Sequence, residues 1–123
     1  MGFKIPKNTE NLIWTKHAIE KMKQYRLSEG RIRRVLHTPT RVEEGIAPNT
    51  IAIMQPAGTS RKPSEIWVMY QTLKSTKKLS KQSKKIAKKM KIKIISVWRY
   101  PGQSPLRQPP PIPPEEWGIW LNP

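Results

Sequence analysis

The chain has no cysteine, a single phenylalanine and only eight acidic residues among 123. Without thiols there is no disulfide framework, no thiolate metal site and no cysteine nucleophile, a composition compatible with a reducing compartment. No apolar run approaches the ~20 residues of a membrane-spanning helix, and the opening Met1-Gly-Phe-Lys-Ile-Pro6 lacks the apolar core of a signal peptide. The expectation is a soluble, cytoplasmic protein with no membrane partner. Glycine-rich phosphate loops of the G-x-x-x-x-G-K-[ST] or G-x-G-x-x-G kind are missing as well. With two histidines, and Glu43-Glu44 the sole adjacent acid pair in the expected strands, its side chains pointing to opposite faces, neither a metal nor a cofactor is expected.

Positive charge is abundant. Twenty-four Lys and Arg give a formal net charge of +16, enough to draw polyanions in over several Debye lengths at low salt. Most of this excess lies in one segment, because residues 74 to 93 hold ten lysines and no acid. A lysine tract binds phosphates through counterion release, with affinity that falls steeply with salt and hardly depends on sequence. Lysine also favours point-charge attraction over bidentate recognition. The plainer reading of the tract is a solubilising loop or an acidic-membrane patch.

Residues 1 to 12 form a polar lead, interrupted by proline, in which little order is expected. Thr15 offers an N-cap hydroxyl for a first helix over Lys16–Tyr25, with Trp14, Ala18, Met22 and Tyr25 at near-helical spacing. Ser28 caps a second helix through His37, its apolar stripe made by Ile32, Val35 and Leu36, with Arg31, Arg33 and Arg34 on the flank and Pro39 beyond its end. Short strands are then expected at Arg41–Glu44 and Thr50–Gln55, forming a hairpin. A mobile loop over Pro56–Ser64 leads to a third strand, Glu65–Thr72, with Ile66, Val68 and Tyr70 on one face and Trp67 and Met69 on the other. Leu73 to Lys91 follows as a lysine-rich loop, expected to be flexible because its charges repel one another and its apolar residues are sparse. Lys91 to Gly102, rich in β-branched and aromatic residues, reads as the central strand, apolar on both faces. A tail with seven prolines closes the chain, and its Trp117, Ile119 and Trp120 suit either folding back over an open sheet face or docking a partner. The predicted class is α+β: two N-terminal helices on an antiparallel sheet of three to four strands, with a flexible lead at 1–12, a domain at 13–102 and a Pro/Trp-rich tail at 103–123.

The run Trp14-Thr-Lys-His-Ala-Ile-Glu-Lys-Met22, then Leu27-Ser28, then Arg31-Ile-Arg-Arg-Val-Leu-His-Thr-Pro39 resembles the layout of small domains of the RelE/BrnT-like toxin superfamily. The resemblance spans roughly residues 13 to 100 and is specific at Thr15, His17, Ala18 and Met22. It implies a compact α+β ribonuclease-like fold, whose members include metal-independent endoribonucleases of toxin–antitoxin modules, and it adds an antitoxin or other acidic protein as a possible partner. The lysine insertion and the Pro/Trp tail depart from that layout.

Metal-free RNA cleavage needs a base for the 2′-hydroxyl, an acid for the leaving oxygen and a cation for the developing charge. His17, with an ordinary pKa near neutrality, is the candidate base or acid. Arg99 is the candidate phosphate fork, and Tyr100 or Tyr70 the hydrogen-bond or proton donor. Each has a plainer role as well: His17 bonding a strand backbone, Arg99 pairing with Glu43 or Glu44, the tyrosines edging the core. Candidate nucleic-acid contacts are Lys77, Lys78, Lys81, Lys84, Lys85, Lys88, Lys89, Arg31, Arg34 and Arg41. The sequence thus points to an RNA-binding basic domain, with RNA ahead of DNA, either a toxin-like metal-independent endoribonuclease or a ribosome-associated relative. The alternative is a non-catalytic nucleic-acid-associated or protein-interaction module that docks through its tail.

Overall fold

In a computed structural model of the chain, the described residues are 3–45, 49–73, 91–106 and 110–114. They form β1 (Leu12–Trp14), α1 (Lys16–Tyr25), α2 (Glu29–His37), β2 (Arg41–Glu44), β3 (Thr50–Gly58), β4 (Pro63–Leu73) and β5 (Lys91–Pro101). The class is α+β as expected, but the sheet has five strands, ordered β1-β5-β4-β3-β2, and is mixed. The added strand is β1, which pairs parallel to β5, Leu12 facing Ile92 and Trp14 facing Ile94. At three residues it is too short to show a period of two. The middle position therefore falls to β4, and β5 lies second from the edge.

Both helices begin where the sequence places them. The Thr15 hydroxyl accepts from the Ala18 N–H and donates to the Ile94 carbonyl at 2.7 Å, so one side chain caps α1 and ties it to β5. Ser28 accepts from the Arg31 N–H to cap α2, and Arg26 takes the left-handed conformation that ends α1. The helices bury Ala18, Met22, Ile32 and Val35 against Ile53, Ile66, Val68, Ile94 and Val97 of one sheet face. Each large aliphatic chain so buried contributes ~1.5–3 kcal/mol.

Three other features differ from the sequence reading. The Pro56–Ser64 stretch is mostly strand, since β3 runs on to Gly58 and β4 starts at Pro63, leaving a tight connection closed by the Thr59 N–H to the Lys62 carbonyl. Gly58 has φ +77°, and a Cβ there would strike the Lys62 carbonyl. The lead is also engaged: Phe3 packs on the helix-side core, and the Asn8 side chain accepts from the Trp14 N–H at 2.7 Å. The opposite sheet face carries a second buried cluster, Ala52, Met54, Trp67, Met69, Ile95 and Trp98, with Ile112 of the tail packed against it. The expected flexible lysine segment falls outside the described residues except at its ends, as do Trp117, Ile119 and Trp120.

A β-bulge decides how β5 presents its side chains. Its pairing with β4 slips between Met69 and Tyr70, so Met69 faces Ser96 while Tyr70 faces Ile94. Ile95 is the extra residue, and the alternation changes phase across it. Ile92 and Ile94 belong to the helix-side core before the bulge and Val97 after it, whereas Ile95 and Trp98 belong to the other.

Candidate nucleic-acid interface

Beyond the bulge the phase sends Arg99 to the helix-bearing side and Tyr100 to the opposite one. Arg99 stands directly across from Ile66 of the helix-side core; Tyr100 faces Glu65 and packs against the second buried cluster. Adjacent in sequence, the two side chains do not converge on one group.

Arg99 instead belongs to a cross-strand row. Gln55 of β3 pairs with Ile66 of β4, and Ile66 pairs with Arg99 of β5, so the backbones of Gln55 and Arg99 are about 10 Å apart on one face. Arg31 of α2 enters this row from above. Its Nη1 donates to Gln55 Oε1 at 2.6 Å, and Nη2 lies 3.5 Å from the Pro56 carbonyl. Gln55 is itself fixed, because its amide nitrogen donates to the carbonyls of Arg34 at 2.9 Å and Thr38 at 2.8 Å and to the Thr38 hydroxyl at 2.7 Å. One glutamine thus serves carbonyls at the end of α2, that of Arg34 already accepting from the Thr38 N–H at 3.1 Å, and aims an arginine.

The Arg34 and Arg99 guanidiniums lie near enough to Arg31 for their charges to act on it. Burial holds the Arg31 pKa below the ordinary arginine value, and the charges of Arg34 and then Arg99 press in the same direction. Among the described residues no carboxylate pairs with Arg31, Arg34 or Arg99; the ion pairs found are Arg33 with Glu29 at 2.8 Å and Arg41 with Glu43 at 3.3 Å. An uncompensated cluster of this kind favours an anion.

The remaining candidates are distributed differently. Arg41 is buried on the opposite face at 8% exposure, its guanidinium 5.1 Å over the Trp67 ring and bonded to Glu43 and Ser104, so it has no surface from which to meet a phosphate. Arg41, and not Arg99, is the partner of Glu43. Tyr70 is half-buried on the helix-bearing face opposite Ile94, its pKa raised by burial. It lies four positions along β4 from Ile66, which faces Arg99, about 13 Å along a strand. His17, half-buried and engaged in an interaction of its own, lies in the first turn of α1, two residues past the Thr15 clamp to Ile94. Tyr70 therefore stands across from Ile94, to which the start of the helix carrying His17 is tied through Thr15, while Arg99 lies beyond the bulge. Lys77, Lys78, Lys81, Lys84, Lys85, Lys88 and Lys89 lie outside the described residues.

Two features escaped the sequence reading. Nothing in composition marks Gln55 as an anchor. The buried chain on the second face had a visible signal: strand parity puts Glu65 beside Trp67 and Met69, on an apolar side. There Glu65 is 4% exposed and accepts from the Trp67 indole at 3.1 Å and from the Ser104 hydroxyl at 2.6 Å, while Ser104 accepts from Arg41 at 2.6 Å. Trp67 and Trp98 lie parallel, centroids 6.0 Å apart. This relay secures the segment after β5 to the sheet.

Comparison with protein-family models, with curated protein sequences and with solved structures returned no match. Among the described residues no helix is long and apolar enough to cross a membrane, and no group of three or more His, Cys, Asp or Glu is arranged around a metal position.

Proposed function

We propose that the chain is an RNA-binding α+β domain of RelE/BrnT-like build that takes hold of the phosphate backbone on its helix-bearing face. The observation that carries this reading is the meeting of Arg31, Arg34 and Arg99 with no carboxylate partner among the described residues. The lysine segment, joined to β5 at Lys91, supplies long-range attraction on top of it. An acidic protein, of the antitoxin kind or otherwise, would compete for the same cations.

A salt titration of binding to single-stranded RNA tests the reading. Affinity falls steeply as salt rises, and the slope flattens when residues 77 to 91 are replaced by a neutral linker. A flat salt response in the native chain, or no binding at low salt, removes it.

Cleavage is a second, separable reading, favoured by the start of α1, which carries His17, being tied to the β5 residue that Tyr70 faces. RNA incubated with the protein in EDTA decides it: cleavage that disappears in His17→Ala while binding persists supports a base at that position. Cleavage unchanged by His17→Ala, or none at all, leaves a binding domain.

A further inference from the structure

The arginine cluster differs from a diffuse basic surface in that one of its members is held in place. Gln55 accepts from one Nη1 hydrogen of Arg31, and its own amide is anchored by the end of α2, so the guanidinium plane is set before any ligand arrives. An arginine has five N–H donors. With one given to Gln55 and a long contact to Pro56, at least three remain to meet oxygens. Arg99 reaches the same face from β5 through the Gln55-Ile66-Arg99 row, and Arg34 stands one turn further along α2 than Arg31, its own carbonyl held by the same Gln55 amide. Two secondary structures and a fixed amide therefore build one cationic focus. Bidentate guanidinium forks suit the three oxygens of a phosphate monoester.

Charge selects among phosphates. An internal phosphodiester carries one negative charge, whereas a phosphate monoester carries about −1.5 to −2 near neutral pH. Three guanidiniums around one diester would remain under-neutralised, and a monoester leaves less excess. The Glu29 carboxylate in the first turn of α2 is engaged with Arg33 at 2.8 Å, and Glu65 lies on the other sheet face. Neither supplies the missing negative charge.

We infer that Arg31, Arg34 and Arg99, with Gln55 as positioning residue, form a discrete site for a terminal phosphate monoester of an RNA strand. The site rests on the RNA-binding reading and narrows it: the lysine segment draws in the strand at any point, and the arginine focus selects its phosphorylated end. A 5′-phosphate and a 3′-phosphate share this chemistry.

The test is calorimetric binding of one short unlabelled RNA sequence in three forms, with a 5′-phosphate, with a 3′-phosphate and with hydroxyls at both ends. The expected result is that at least one phosphorylated form binds about tenfold tighter or more than the hydroxyl form, a difference of ~1.4 kcal/mol. The preferred form identifies the end that is read. Arg99→Gln removes most of the preference. Arg31→Lys, which keeps the charge and loses the fork, also narrows it while leaving the salt dependence of the hydroxyl form in place. Circular dichroism of both variants establishes that they are folded. Equal binding of all three forms overturns the terminal-phosphate site and leaves general RNA binding standing; so does a preference that survives both substitutions. Failure of every form to bind overturns both.

Discussion

Gln55 holds Arg31 from below while capping the helix that carries it: Oε1 accepts from Arg31 Nη1 at 2.6 Å, and Nε2 donates to the carbonyls of Arg34 and Thr38. Gln55→Leu keeps the volume roughly and removes all of these bonds. A loss of about 0.5–1.5 kcal/mol is expected, since these bonds are exposed or half-buried and water takes over part of their role, while the Arg34 carbonyl keeps the Thr38 N–H. Chemical denaturation measures it, and an unchanged midpoint would mean that water serves those carbonyls equally well.

The Arg41-Ser104-Glu65 relay gives a separate prediction on the other face. Ser104 is 7% exposed and bonds both a guanidinium and a carboxylate at 2.6 Å. Ser104→Ala breaks the link between them in a buried setting, and a destabilisation of about 1–3 kcal/mol is expected. Limited proteolysis should then cut more readily between Gly102 and Leu106 in the variant, with the sheet still protected. Equal protease resistance in the two proteins would show that Ile112 packing alone holds the segment.

Thr15 joins α1 to β5 through one oxygen. Thr15→Ala removes the N-cap and the bond to Ile94, and the expected cost is about 1–2 kcal/mol. Thr15→Ser retains both bonds and should recover most of it. Thermal melts of the pair separate the hydroxyl from the methyl: if serine rescues nothing, packing of the methyl is what matters.

Tyr70 links stability to alkaline pH. Burial favours its neutral phenol, so the folded-state pKa lies above the unfolded value of about 10. The stability this contributes is fully present below the unfolded value and is lost as pH rises through the raised folded one, because the unfolded chain releases the proton first. Tyr70→Phe should flatten this alkaline decline in denaturation midpoints and remove one tyrosinate absorbance transition, at a pH above the ordinary tyrosine value. An identical decline in the variant would assign it to other groups.

Local signals were legible wherever a single side chain or a short period acts alone. Thr15 and Ser28 announce two helices through their hydroxyls. The alternation from Ile66 to Tyr70 assigns both faces of β4 correctly, Ile66, Val68 and Tyr70 toward the helices and Trp67 and Met69 away. The same alternation fails on β5, where Ile95 inserts one residue and inverts every position after it. A bulge depends on the pairing partner, so the strand's own residues do not reveal it.

The sequence by itself therefore determined the α+β class, the helix starts and the excess of positive charge, because capping, periodicity and composition are properties of neighbouring residues. Only the tertiary structure decided that β4 takes the middle of the sheet and that Leu12–Trp14 adds a parallel edge strand. It also decided which arginines stand together. Arg41, one strand after the helices, is buried against Trp67 and Ser104, whereas Arg99, far along the chain, comes to the face on which Arg31 is held, near enough for its charge to act on Arg31. Strand register and one bulge bring residues 68 positions apart onto one face of the sheet, and no local pattern encodes that placement.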